Sequence, residues 1–75
     1  MYTLQEIEVS KIIVGERIRK DLGNIKELAQ TIELVGLLQP ITITKEYILD
    51  CGQRRLEAVK ILGLTTISAL ILEDK

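Results

Sequence analysis

Gly52, Arg54 and Arg55 are the residues whose types and spacing best suit chemistry, and that chemistry is the holding of an anion. They stand in the run Gly52-Gln53-Arg54-Arg55-Leu56-Glu57-Ala58-Val59, where a strand-like segment, Tyr47-Ile48-Leu49, gives way to an amphipathic helical pattern. The first turn of a helix carries backbone N–H groups without intrahelical partners and a partial positive charge, so a phosphate settles there. A glycine has no Cβ and lets a ligand come close to the main chain. Arginine adds planar, permanently charged forks that meet phosphate oxygens two at a time. The competing account is plain: arginines at a helix start oppose the helix dipole, and most surface arginines are simply solvated. A short glycine-arginine string does not decide between the two.

Other candidates surround this run. Asp50 directly precedes it and can orient an acceptor hydroxyl or a hydrated magnesium, although capping the second helix is the role we expect for it. Glu57 lies one turn into the helix, where pairing with Arg54 or Lys60 at i±3 spacing is the simple account. Cys51 is expected to be buried and inert. Arg17 and Arg19 fall in the loop after the first strand, and they either add phosphate contacts or only solvate that loop. With no His and a single Cys, zinc ligation and His-activated nucleophiles drop out, and no metal ligands are assigned.

The elements that must position these residues can be read from periodicity. Leu4 to Val9 alternates apolar and polar residues as a half-buried strand does. Ser10 to Gly23 is mixed and reads as a loop with room for one helical turn. Asn24 and Glu27 form a capping-box pattern, and Ile25, Leu28, Ala29, Ile32 and Val35 recur at helical spacing until Gly36. Pro40 disfavours helix before it, and Ile41 to Thr44 is a β-branched alternating strand. Lys45-Glu46 is expected to connect it as a two-residue hairpin to Tyr47-Ile48-Leu49. Leu56, Ala58, Val59, Ile61 and Leu62 give the second helix an apolar stripe, with Gly63 at its left-handed end, and Thr65 to Leu72 reads as a last strand. The order is βαββαβ, an α/β (α+β) arrangement with a small mixed sheet and two helices. Both strand-helix-strand passages are expected to cross over right-handed.

Composition sets the outer limits. Seventy-five residues, 47% apolar and 28% charged, predict one domain over 1–75 and not a disordered chain. A domain of this size buries only about 60% of its unfolded surface, and without Phe or Trp the interior falls to Ile, Leu and Val. The apolar share is high for so small a body, so a copy of the chain, as a homodimer, or another domain is expected to cover part of it. A net charge of −1 gives no global field for DNA or an anionic membrane, so nucleic-acid contact would have to be local. One cysteine makes no internal disulfide, and no apolar run reaches about 18 residues. We therefore expect no membrane partner and a soluble, cytoplasmic location.

Taken together, Gly36-Leu37-Leu38-Gln39-Pro40-Ile41-Thr42-Ile43, then Leu49 to Ala58, then Leu62-Gly63 resemble the N-terminal domain of the ParB/sulfiredoxin superfamily, ParB-like proteins above all. The signature there pairs a G-L-x-Q-P-I segment with a G-E-R-R-x-x-A helix start. The resemblance implies a pocket for a nucleoside triphosphate, CTP or ATP, with Mg2+. It implies that Gly52, Gln53, Arg54 and Arg55 line the phosphates and that Gln39, Pro40 and Ile41 form a wall near base or sugar, with Arg17 and Arg19 as further phosphate contacts. It also implies a role in DNA partition or DNA-associated regulation, with DNA or a DNA-bound protein as partner. Gln53 departs from the family's glutamate: a neutral amide offers magnesium no charge, which sets hydrolysis in doubt. ParB proteins continue into a second nucleotide-contacting motif, a helix-turn-helix and a dimerising tail, so sequence-specific DNA reading and clamp formation are not expected from these residues alone.

Other members of the superfamily supply the alternatives. In sulfiredoxin the reactive cysteine follows the glycine. Here Cys51 precedes Gly52 and Gln53 takes the thiol's place, so reductase chemistry is not expected. A small-molecule kinase, such as a free serine kinase, would draw on Asp50. A nuclease would need a convergent acidic set that the sequence does not offer. A non-enzymatic adaptor would use the same arginines against phosphate or carboxylate on a partner protein.

Overall fold

The computed structural model describes residues 2–15, 23–36 and 39–73. Along them run β1 (Tyr2–Glu8), a 3-10 turn (Val9–Lys11), α1 (Ile25–Val35), β2 (Ile41–Thr44), β3 (Leu49–Cys51), α2 (Gln53–Ile61) and β4 (Thr66–Leu72), the βαββαβ order read from the sequence. Arg17 and Arg19 lie outside the described residues.

The sheet is mixed, in the order β1-β4-β2-β3. β4 is parallel to β2 and antiparallel to β1, while β3 is antiparallel to β2. Neither strand-helix-strand passage therefore joins parallel strands, contrary to the expected pair of right-handed crossovers. The hairpin between β2 and β3 reverses the chain before α2, so α2 returns it alongside β2 and not alongside β3.

Alternation fixes which face is covered. Ile67, Ala69 and Ile71 of β4 and Ile41 and Ile43 of β2 are buried, while their neighbours Ser68, Leu70, Thr42 and Thr44 are only half-buried. The helices meet that face through Ala29 and Ile32 of α1 and Leu56, Ala58 and Val59 of α2, and all of these belong to one core. Each fully buried branched side chain contributes about 1.5–3 kcal/mol. Val35 and Ile61, expected in the apolar stripes, are 57% and 55% exposed because they sit in the last turns of their helices.

The hairpin differs from expectation in a way that matters for the site. Lys45 and Glu46 lack the glycine or asparagine of a tight two-residue turn. The reversal instead takes in Tyr47, whose φ of 68° supplies the left-handed residue of a longer loop. Thr44 braces this loop: its N–H donates to the Ile48 carbonyl at 2.9 Å, and its Oγ1 accepts from the amides of Glu46 and Ile48 at 3.2 Å. The third strand consequently starts later, at Leu49, and continues to Cys51. Thr42 pairs with Cys51 and Ile43 with Leu49, so Asp50 is the extra residue of a bulge. The chain between β1 and α1 is tied to this far edge as well: Ile13 N–H donates to the Tyr47 carbonyl at 2.7 Å, and Leu49 N–H donates to the Ile13 carbonyl at 2.8 Å.

Candidate phosphate-binding site

β3 ends one residue before Gly52, the N-cap of α2. Gly52 has φ 106° and ψ 30°, a left-handed conformation open to glycine at little cost. Its carbonyl accepts the first helical bond, from Leu56 N–H at 3.0 Å. The missing side chain matters for packing. A Cβ here would stand 2.7 Å from Cγ2 and 3.2 Å from Cα of Ile41. The space expected to admit a ligand is thus filled by β2, and the glycine lets the start of α2 seat on the sheet. Ile41 has 0% of its surface exposed, so its side chain belongs to the core and not to a wall against base or sugar.

A second contact joins the same two segments. Nη2 of Arg55 donates to Oε1 of Gln39 at 2.6 Å. Gln39 and Ile41 thus meet Arg55 and Gly52 in reverse order, as two rungs between the beginning of β2 and the beginning of α2. The spacing of the two sequence motifs is the spacing of these rungs. Pro40, between them, is half-buried.

Beside the helix start lies a cleft of about 560 Å³, within the range of small-molecule sites. Gly52, Gln53, Arg54 and Arg55 form its cationic side, and Ile48, Leu49, Asp50 and Cys51 its floor along β3. Val14 and Gly15 also line it, held there by the bridge from Ile13 to Ile48, as does Leu28 of α1. Arg54 extends toward the beginning of α1: its Nη2 is 3.8 Å from where a side chain on Gly23 would start. Arg54 thus reaches from the first turn of α2 toward the residue that precedes the cap of α1.

Two expectations for neighbouring residues change. Asp50 does not cap α2. The cap is Gly52, with no side-chain hydrogen bond, and the bulge leaves Asp50 exposed and lining the cleft. Cys51 is exposed and not buried, because it lies at the end of the edge strand on the cleft's floor. Glu57 pairs with Lys60 at 3.6 Å, one of the two partners its spacing allowed. Leu28, Ile48, Val14 and Gly15 were not among the expected lining residues. Leu28 was visible only as part of a helical stripe, and the other three are brought in by the Ile13–Ile48 bridge, a pairing without a local sequence signal.

The site suits a polyanion with a compact apolar end. Its lining brings the arginine forks and the amino-terminal end of α2 together with hydrocarbon from Val14, Leu28 and Ile48. Asp50 is the only carboxylate among the described lining residues, and no described group of three or more His, Cys, Asp or Glu could hold a metal ion. For a magnesium ion arriving with a nucleotide, Asp50 would be the one carboxylate of the described lining to help hold it, and the ion would supply positive charge against the phosphates. Among the described residues no helix is long and apolar enough to cross a membrane.

Comparison with known proteins places this geometry in context. Residues 1–75 match the family model of the ParB N-terminal domain. Over 56 residues the chain is 46% identical to a nucleoid occlusion protein of Halalkalibacterium halodurans, covering 71% of this chain and 20% of that protein. The chain spans about a fifth of the length of the curated relatives it matches. Its fold superposes with a TM-score of 0.83 on the C-terminally truncated chromosome-partitioning protein ParB from Caulobacter crescentus, solved in complex with CTP-γ-S. That match is 23% identical and covers 97% of this chain and 46% of the other. Sulfiredoxin from Arabidopsis thaliana superposes with a TM-score of 0.78 at 26% identity, over 96% of this chain and 86% of that one.

Proposed function

The chain belongs to the ParB N-terminal domain family, and from that premise we propose that its cleft binds a nucleoside triphosphate, CTP first among the candidates, in the service of DNA partition or DNA-associated regulation. The observation that carries this reading is the start of α2: a helix terminus with no side-chain cap and no acidic residue in its first turn, opening beside Arg54 and Arg55 into a cleft of about 560 Å³. A helix amino terminus carries partial positive charge, and two arginines beside it make that side of the cleft favourable to an anion. The triphosphate lies along Gly52 to Arg55, and the base lies toward Val14, Leu28 and Ile48. Magnesium, when bound, neutralises charge between phosphate oxygens, while the arginines and amides orient the chain of phosphates. The Caulobacter relative, which was solved with CTP-γ-S, supports CTP over other nucleotides. DNA, or a protein bound to it, is the expected partner, in keeping with relatives named for nucleoid occlusion and chromosome partition.

The test is thermal. A ligand that binds only the native state stabilises it by about 2.7 kcal/mol at a hundred times its Kd. For a chain of this size that raises Tm by roughly 10–20 °C. CTP, ATP, ADP and GTP, each with magnesium, are compared on the wild-type chain and on Arg55→Ala. A shift with CTP that the variant loses supports the reading; no shift with any of them at millimolar concentration rejects it.

Asp50 favours a second reading, phosphoryl transfer to a small acceptor. Freed from capping, it stands in the cleft beside the cationic side. It would accept the proton of an acceptor hydroxyl as that oxygen attacks the terminal phosphorus and the nucleoside diphosphate leaves. Phosphorylated serine formed from ATP, and lost in Asp50→Asn, would favour this over simple binding.

A further inference from the structure

Gln39 is exposed, lies 16 residues from Arg55 in sequence, and gives its side-chain oxygen to that guanidinium at 2.6 Å. We propose that Gln39 is a positioning residue that holds Arg55 at the cleft with its charge intact. The inference rests on the triphosphate reading but assigns Gln39 a different part from a wall against base or sugar.

The backbone at each end of this bond is anchored by a neighbouring core residue. Gln39 is followed by Pro40, whose ring sets φ, and then by fully buried Ile41. Arg55 is followed by fully buried Leu56 and lies three residues from Gly52, which presses on Ile41. One contact between β2 and α2 therefore aligns both partners. An arginine side chain loses much rotamer freedom when it binds an anion, and a bond formed beforehand removes part of that cost from the binding step.

The acceptor's chemistry matters as much as its place. Guanidinium has five N–H donors, and a glutamine oxygen takes one of them while carrying no formal charge. A carboxylate at the same position would hold the arginine more tightly but would cancel the charge that a phosphate needs. Gln39 is thus the kind of partner that orders a cation without neutralising it.

A double-mutant cycle tests this with CTP-magnesium and with inorganic triphosphate as separate probes. Gln39→Ala should weaken both about tenfold, the usual scale for one hydrogen bond to a charged group. Gln39→Glu should weaken both further, despite keeping an acceptor in place. In an Arg55→Ala background, Gln39→Ala should cost nothing more. If Gln39→Ala still weakens binding in that background, or weakens CTP but not inorganic triphosphate, then Gln39 touches the nucleotide itself and the proposal is overturned. A ligand-free measurement stands beside the cycle: nitrogen-15 NMR of the Arg55 guanidinium should show restricted rotation in the wild type and free rotation in Gln39→Ala. Identical signals in the two would also overturn the proposal. Restricted rotation lost in the variant, in a protein that binds neither probe, rejects the triphosphate reading and leaves the Gln39–Arg55 bond as the device that orders this arginine.

Discussion

The two helices of this chain begin in opposite ways, although Arg54 at the start of one reaches toward Gly23 just before the other. α1 is closed by its own sequence: Asn24 accepts from the Glu27 amide at 3.1 Å, and Glu27 puts a negative charge in the first turn. α2 begins at Gly52 with neither device, and its first turn carries Arg54 and Arg55 instead. A capped terminus meets its own need for an acceptor and contributes to stability. A start with two cations and no carboxylate in its first turn favours an anion from outside instead. Under the triphosphate reading, α1 belongs to the fold and α2 to the ligand, and substitutions at the two starts should separate stability from binding.

The largest effect tests what Gly52 is for. Gly52→Ala places a methyl 2.7 Å from Ile41 Cγ2 at a φ of 106°, and the conflict includes the Ile41 backbone, which cannot swing aside. Strained φ and overpacking together should cost about 2–4 kcal/mol, a large share of what a small domain has. Gly63→Ala serves as the control. It shares a positive φ of 76°, but nothing lies within 4 Å of its Cβ, so about 1 kcal/mol of backbone strain is all it should lose. Urea denaturation of both variants checks the difference. Equal losses would mean that α2 is not seated on Ile41.

Next come the two starts themselves. Arg55→Ala should cut CTP affinity by roughly 10- to 150-fold, the worth of about 1.5–3 kcal/mol in hydrogen bonds to a charged group. Its Tm without ligand should hardly change, since the side chain is only half-buried and its bond to Gln39 is exposed. Asn24→Ala should do the reverse, losing about 1 kcal/mol of stability with the cap while leaving CTP affinity as it was. Melting curves and CTP titration on the same two proteins give four numbers. The contrast between the helices fails if Asn24→Ala weakens CTP as much as Arg55→Ala does.

The same contrast shows how far the sequence could be read. The start of α1, the helix ends and the succession of elements along the chain depend on neighbours in sequence, so Asn24 with Glu27, Gly36, Gly63 and the β-branched run of β2 announced themselves. Whatever depended on distant residues did not. The exposure of Cys51, the bulge at Asp50 and the wall of Val14 and Gly15 all follow from how β3 pairs with β2 on one side and with Ile13 on the other. The glycine was legible as special, but its reason was not. A left-handed, side-chain-free position reads the same in sequence whether the space is left for a phosphate or filled by Ile41. Nor did the motif spacing disclose that Gln39 would bond Arg55, since that requires β2 and α2 to be laid side by side.

The smallest effect sets the demands of the two starts against each other at one position. Gln53 is the first residue of α2, where a carboxylate suits the helix dipole, as Glu27 suits α1. Gln53→Glu should therefore stabilise the ligand-free chain by about 0.3–1 kcal/mol, read as a Tm rise of a few degrees at low salt that fades as salt is added. The same charge would face the phosphates across the cleft that Gln53 lines, so CTP should bind more weakly without magnesium. With magnesium the carboxylate gains a cation to share with the phosphates, and affinity should recover toward that of the wild type. A neutral glutamine avoids this dependence, giving up a little helix stability to keep the start of α2 receptive to an anion on its own. If Gln53→Glu binds metal-free CTP as tightly as the wild type, the phosphates do not pass the first turn of α2, and the division of labour between the two helices is lost.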